Sequence, residues 1–179
     1  DKALSRIDIL KEAKVTWLEE PFYSDAFQEY SELAKISSIP LAGGESCHSI
    51  ESAKNMIKFG KVKFIQIDAG IAGGILAGQE IANFAEENEV QYVNHTFTSH
   101  LQLSASIQPY AGLTKSYLAE YPMQLKALAW DITKNHIVMD QSGYINLPSE
   151  IGHGMIINED TLSKYKIDVE IKVNNKRIF

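Results

Sequence analysis

Five short apolar runs in this chain each end on an ionisable side chain, at nearly constant intervals. Val15 to Leu18 runs into Glu19, Ile39 to Ala42 leads through two glycines to Glu45, and Val62 to Ile67 stops at Asp68. Val90 to Asn94 then stops at His95, and Ser116 to Ala119 at Glu120; the spacings between these groups are 26, 23, 27 and 25 residues. Each interval fits one strand, one helix and two short loops. The runs are rich in β-branched and aromatic residues, which suit a packed, pleated surface. Pro21 cannot donate to a ladder, so the first strand ends there and leaves Glu19 at its lip. A polar group closing every strand of a βα series is the layout of a (β/α) barrel, whose chemistry gathers at the C-terminal strand ends.

A complete eight-unit barrel takes about 250 residues, whereas this chain has 179. The expectation is therefore an α/β fold: a partial TIM-type (β/α) barrel of about the last five strand units over residues 1–122. Residues 123–179 are expected to add a C-terminal barrel helix and a wrap-around tail. The net charge of −6, with no long basic run, disfavours nucleic acid and anionic membrane as partners. No apolar run approaches the ~20 residues needed to span a bilayer, and Asp1-Lys2-Ala3-Leu4-Ser5-Arg6 is no signal peptide. One cysteine, Cys47, excludes an internal disulfide and fits a reducing cytoplasm.

Between the strands, periodicity predicts helices over 3–14, 26–36, 50–59, 75–88 and 99–111. Ser24-Asp25 and Ser49 are the expected caps of the second and third, and Gly60 the terminator of the third. Asp68 to Gly74 reads as a tight turn. Residues 127–140 fit no single template, Asn158-Glu159-Asp160 should cap a short helix to Tyr165, and residues 167–173 alternate like an edge strand.

In a closed barrel Glu19 and Glu45 lie on neighbouring strands and point into one mouth. Two carboxylates there repel unless a cation sits between them, and oxygen-only ligands favour a hard divalent ion, Mg²⁺. Asp68 and His95 are also on adjacent strands. A carboxylate on one imidazole nitrogen fixes the tautomer and prepares the other nitrogen as a general base. Glu120 closes the ring. A cation on a substrate carboxylate makes the neighbouring proton acidic, so the reaction indicated is proton abstraction beside a carboxylate.

Trp17-Leu18-Glu19-Glu20-Pro21, Gly43-Gly44-Glu45, Ile67-Asp68 with Gly73-Gly74, Asn94-His95 and Leu118-Ala119-Glu120-Tyr121-Pro122 together resemble the second half of an enolase-superfamily barrel. The nearest branch is the mandelate racemase/muconate lactonising family, whose tail the Gly152-His153-Gly154 loop and Ile156-Ile157-Asn158 also resemble. The resemblance implies that Glu19 and Glu45 are the second and third metal ligands. His95 is then the base, Asp68 its partner, and Glu120 the group that hydrogen-bonds the substrate carboxylate. It implies a small carboxylate substrate, an acid sugar, and dehydration ahead of racemisation, epimerisation or cycloisomerisation.

The family's first metal ligand, an aspartate one βα unit before Glu19, would fall before residue 1; Asp1 is too close and belongs to a helix on this reading. The lysine-bearing strand and the capping domain are likewise outside the sequence. The expectation is a C-terminal fragment, inactive alone, that forms a homo-oligomer or pairs with a missing N-terminal half. Two other functions stay open. A retaining glycosidase would use two barrel glutamates but leave Asp68 and His95 idle; a non-catalytic half-barrel would serve as an assembly partner. Glu20 reads as a neighbour of the site, Cys47 and His48 as loop packing, His100 as a capping or solvent-facing residue, and Trp17 and Phe22 as packing. Gly73-Gly74 is too short a motif to indicate phosphate binding.

Overall fold

A computed structural model of the chain describes residues 2–178. Four strands form one parallel sheet in sequential order: β1 (Leu18–Glu19), β2 (Leu41–Gly43), β3 (Phe64–Ile67) and β4 (Gln91–Asn94). The crossovers carry α2 (Phe27–Ile36), α3 (Ile50–Asn55) and α5 (Ile75–Glu87), after an opening 3₁₀ turn and α1 (Ile7–Glu12). Beyond β4 come α6 (His100–Ile107), α7 (Ala127–Asp131) and α8 (Glu159–Tyr165).

Side-chain alternation along the strands builds two layers. Ile65, Ile67, Leu41 and Tyr92 point outward and pack with Tyr30, Leu33, Met56, Ile81 and Ala85 from the helices. Ala42, Phe64 and Val93 point inward and pack with Trp17 and Leu118. Strands covered on both faces read as apolar runs; β3, all four of its residues buried, is one broken only by Gln66. The inward layer is the floor on which the polar strand ends stand.

Several local expectations are corrected. β1 begins at Leu18 rather than Val15, and Glu19 is its second residue rather than the group beyond it. The cap of α2 falls on Ala26, with no side-chain hydrogen bond from Ser24 or Asp25. Ser49 does cap α3, in a reciprocal pair with Ser52. That helix then widens into a π turn over Met56–Gly60, and Lys61, not Gly60, takes the left-handed conformation that ends it. The segment after Asp68 is a one-turn helix, α4 (Ala69–Ala72), rather than a plain turn, because the Asp68 carboxylate accepts from the Gly70 amide. In place of an edge strand over 167–173, a small hairpin pairs β5 (Lys172–Val173) with β6 (Lys176–Arg177). Asp1 lies outside the described residues.

The fifth strand unit differs most. Residues 116–119 form no strand and make no backbone ladder with β4. Side chains replace it. The Tyr92 amide donates to Ser116 Oγ at 2.9 Å and the Asn94 amide to the Tyr110 hydroxyl at 3.1 Å. The Asn94 carboxamide imitates a neighbouring peptide, accepting from the Glu120 amide at 3.1 Å and donating to the Glu120 carbonyl at 3.0 Å. Glu120 is thereby held beside β4 although its backbone joins no strand.

His100 is also placed differently. It is fully buried at the start of α6, where Nδ1 accepts from the Ile137 amide at 3.2 Å and the ring packs edge-on against Trp130 and His136. Burial, helped by His136, depresses its pKa from the usual 6.5 to about 4. The group is neutral when folded, so its contribution to stability is complete above pH 6.5 and is lost as the pH falls through about 4. Between neutral pH and pH 4 the protein should lose on the order of 3 kcal/mol from this group. Urea midpoints of His100→Asn, which keeps an acceptor, should lack that part of the acid dependence.

Candidate active site

Asp68 and His95 stand at the ends of β3 and β4, one residue beyond each strand, and turn inward together. Asp68 Oδ2 lies 3.2 Å from His95 Nδ1, and the aspartate side chain is wholly shielded from solvent. Burial alone would raise the Asp68 pKa. Hydrogen bonds from His95, Gln102 and the Gly70 amide outweigh it, and the carboxyl is held below its ordinary value. Gln102 on α6 is in turn met by the Thr98 hydroxyl, so the aspartate has a braced partner besides the imidazole. An ionised Asp68 can only accept, which assigns the proton to Nδ1 and aims Nε2 at the mouth.

Glu45 follows β2 and the left-handed Gly44, and its Oε2 lies 3.2 Å from His95 Nε2. The imidazole is thus flanked by carboxylates on both nitrogens. The Asp68 hydrogen bond is the main cause of its raised pKa; burial opposes this, and the charges of Glu120 and Glu45 add to it. Carboxylates on both sides thus favour the protonated ring, and Glu45 is the group that Nε2 faces.

Glu19 projects from β1, where Oε2 accepts from Trp17 Nε1 at 2.9 Å and from Gln66 Nε2 at 2.9 Å. Glu120 Oε1 accepts from the same Gln66 nitrogen at 3.0 Å, and its Oε2 from the Thr96 amide at 3.2 Å. Burial pushes the Glu120 carboxyl up despite those donors. Glu20, at φ +39°, is partly buried and also raised, its Oε1 accepting from the Gly44 amide at 3.4 Å. Cys47 is buried and its thiol is raised by that burial, which suits packing rather than reactivity.

Sequence reasoning missed Gln66, Gln102 and Asn94. Gln66 carried a readable signal, since an amide inside an otherwise apolar strand needs partners. Gln102 carried none, because its contact with Asp68 depends on how α6 packs.

As cation ligands, the exposed Glu19 and the partly buried Glu45 have the right donor chemistry, hard carboxylate oxygens. Among the described residues no group of three or more His, Cys, Asp or Glu side chains forms a metal cluster. The donors present fit part of a divalent-ion shell. A cavity of about 410 Å³ lies elsewhere, lined by Tyr110, Tyr117, Leu118, Tyr121 and Tyr144 among others. None of the five strand-end groups lines it.

Residues 1–161 match the family model described as enolase C-terminal domain-like. The chain belongs to that family. A solved structure of a predicted mandelate racemase from Rhodobacter sphaeroides superposes on this enolase-type domain with a TM-score of 0.92 and 40% identity, over 99% of this chain and 46% of that one. A D-galactarolactone cycloisomerase of Agrobacterium fabrum is 27% identical over 161 residues, 86% of this chain and 42% of the relative. A D-galactonate dehydratase of Variovorax paradoxus is 28% identical over 159 residues, 86% of this chain and 41% of the relative. The domain therefore spans less than half the length of the proteins it resembles. No helix among the described residues is long and apolar enough to cross a membrane.

Proposed function

We propose that this domain is the barrel half of a Mg²⁺-dependent enolising enzyme whose substrate is an acid sugar, with dehydration as the reaction and cycloisomerisation or racemisation as the alternative outcome. The observation that carries it is the contact line Asp68–His95–Glu45, an oriented imidazole between a buried aspartate and a candidate cation ligand. The names of the dehydratase and cycloisomerase relatives support the substrate class.

With Nε2 free of Glu45, His95 takes the proton from the carbon beside the substrate carboxylate, and Asp68 stabilises the imidazolium that results. The same Nε2–H then protonates the departing hydroxyl on the next carbon, so water leaves and a double bond remains. Glu120, its pKa raised by burial, hydrogen-bonds the substrate carboxylate. Glu19 and Glu45 would hold Mg²⁺, which supplies positive charge to offset the negative charge that builds on that carboxylate as the proton leaves.

The test is incubation of the chain, supplied with an N-terminal half of the kind its relatives carry, with a panel of aldonic and aldaric acids in D₂O, with Mg²⁺ or with EDTA. Deuterium at the carbon beside the carboxylate, or a 2-keto-3-deoxy product, is expected with Mg²⁺ and not with EDTA. Neither signal with any acid sugar would defeat the proposal, and EDTA-insensitive cleavage of an aryl glycoside included as a control would replace it.

A further inference from the structure

Gln66 is the third residue of β3 and points into the barrel interior, where it is fully buried. Its Nε2 lies 2.9 Å from Glu19 Oε2 and 3.0 Å from Glu120 Oε1, carboxylates contributed by segments far apart in the chain. Among the described residues its Oε1 has no hydrogen-bond partner. A flipped amide would set that oxygen against two carboxylates, so the orientation is dictated by charge. Tolerating an unmet buried acceptor is costly, which indicates that the side chain is held in place for its nitrogen end.

We infer that Gln66 is a positioning residue that couples the cation-binding carboxylate of Glu19 to the substrate-facing carboxyl of Glu120, through one nitrogen that donates to both. This rests on the roles proposed above for those two glutamates. A primary amide is the smallest neutral side chain with two protons on one atom, so it can serve two carboxylates without adding charge. A carboxylate at this position would repel both neighbours, and an ammonium would place a fixed cation beside the Mg²⁺ ligand. Fastening Glu19 and Glu120 to one nitrogen means that displacing either disturbs the other. Cation and substrate sites so linked bias each other's occupancy reciprocally.

Two readouts on the full chain test this. In ¹⁵N–¹H spectra at fixed pH, the two Nε2 protons of Gln66 should exchange slowly compared with those of exposed Gln141. Glu19→Gln should move one of the two protons and Glu120→Gln the other. Both substitutions moving the same proton, neither moving any, or exchange as fast as at Gln141 would overturn the bridge. If Glu19→Gln fails to fold, Glu19→Asp serves, since it withdraws the carboxylate by one methylene.

The second readout is Mn²⁺ affinity by electron paramagnetic resonance. Gln66→Met should weaken binding about 10- to 100-fold, the range for losing a hydrogen bond behind a metal ligand. Gln66→Asn, whose shorter stem cannot span both carboxylates, should fall between. Unchanged affinity in both variants would overturn the coupling. A parent that binds no Mn²⁺ would overturn it together with the cation reading. Failure to turn over any acid sugar would defeat the proposed reaction while leaving the bridge and its Mn²⁺ dependence measurable.

Discussion

Replacing His95 with Asn should lower exchange of the proton beside the substrate carboxylate by about 10³-fold, within the range for removing a general base. The expected loss is in kcat, with KM little changed, because in the proposed roles the imidazole acts on the reacting carbon while Glu120 and the cation ligands hold the carboxylate. Asp68→Asn should cost a comparable amount for a different reason. The amide can present an N–H to Nδ1, which favours the tautomer with its proton on Nε2 and leaves no lone pair to receive the substrate proton. Solvent-deuterium incorporation followed by NMR reads both variants. Exchange retained in His95→Asn would assign the base to another residue.

Asn94→Leu should destabilise the fold by about 3 kcal/mol, the scale for breaking a buried hydrogen-bond network. Asn94 is wholly buried, and its carboxamide meets both the amide and the carbonyl of Glu120, with Thr96 Oγ1 a further partner at 3.0 Å. Leucine is close in volume and leaves those backbone groups without partners. Urea denaturation measures the loss. Because Asn94 is what holds Glu120 beside β4, the variant should also bind substrate carboxylate more weakly at temperatures where it remains folded. Asn94→Asp keeps the acceptor for the Glu120 amide and loses the donor to its carbonyl, so it should fall between.

The same asparagine shows where the sequence was legible and where it was not. Strand ends were readable because one pattern, an apolar run closed by a charge, recurs at βα spacing from Glu19 to His95. Those positions rest on local alternation, which places Phe64 and Gln66 inward and Ile65 and Ile67 outward. The last unit defied the pattern because its pairing runs through Ser116, Tyr110 and Asn94 side chains, and no propensity encodes a carboxamide standing in for a peptide. His100 was misplaced for a related reason: a histidine at a helix start looks exposed until Ile137 and Trp130, more than two dozen residues on, fold over it. The lip of Asp68 was read as a turn because capping by its own carboxylate converts the turn into helix. The placement of the strand-end groups was thus visible, whereas the residues that brace them, Gln66 and Gln102, depended on tertiary packing.

The central claim is that Glu19 and Glu45 share a divalent ion beside the His95–Asp68 pair. Anomalous diffraction from crystals soaked in Mn²⁺ tests it directly. The account predicts a peak bonded to a carboxylate oxygen of each glutamate, at about 2.0–2.3 Å, with Glu45 withdrawn from His95 Nε2. Mn²⁺ bound elsewhere, or Glu45 still on the imidazole with no peak beside it, would contradict it.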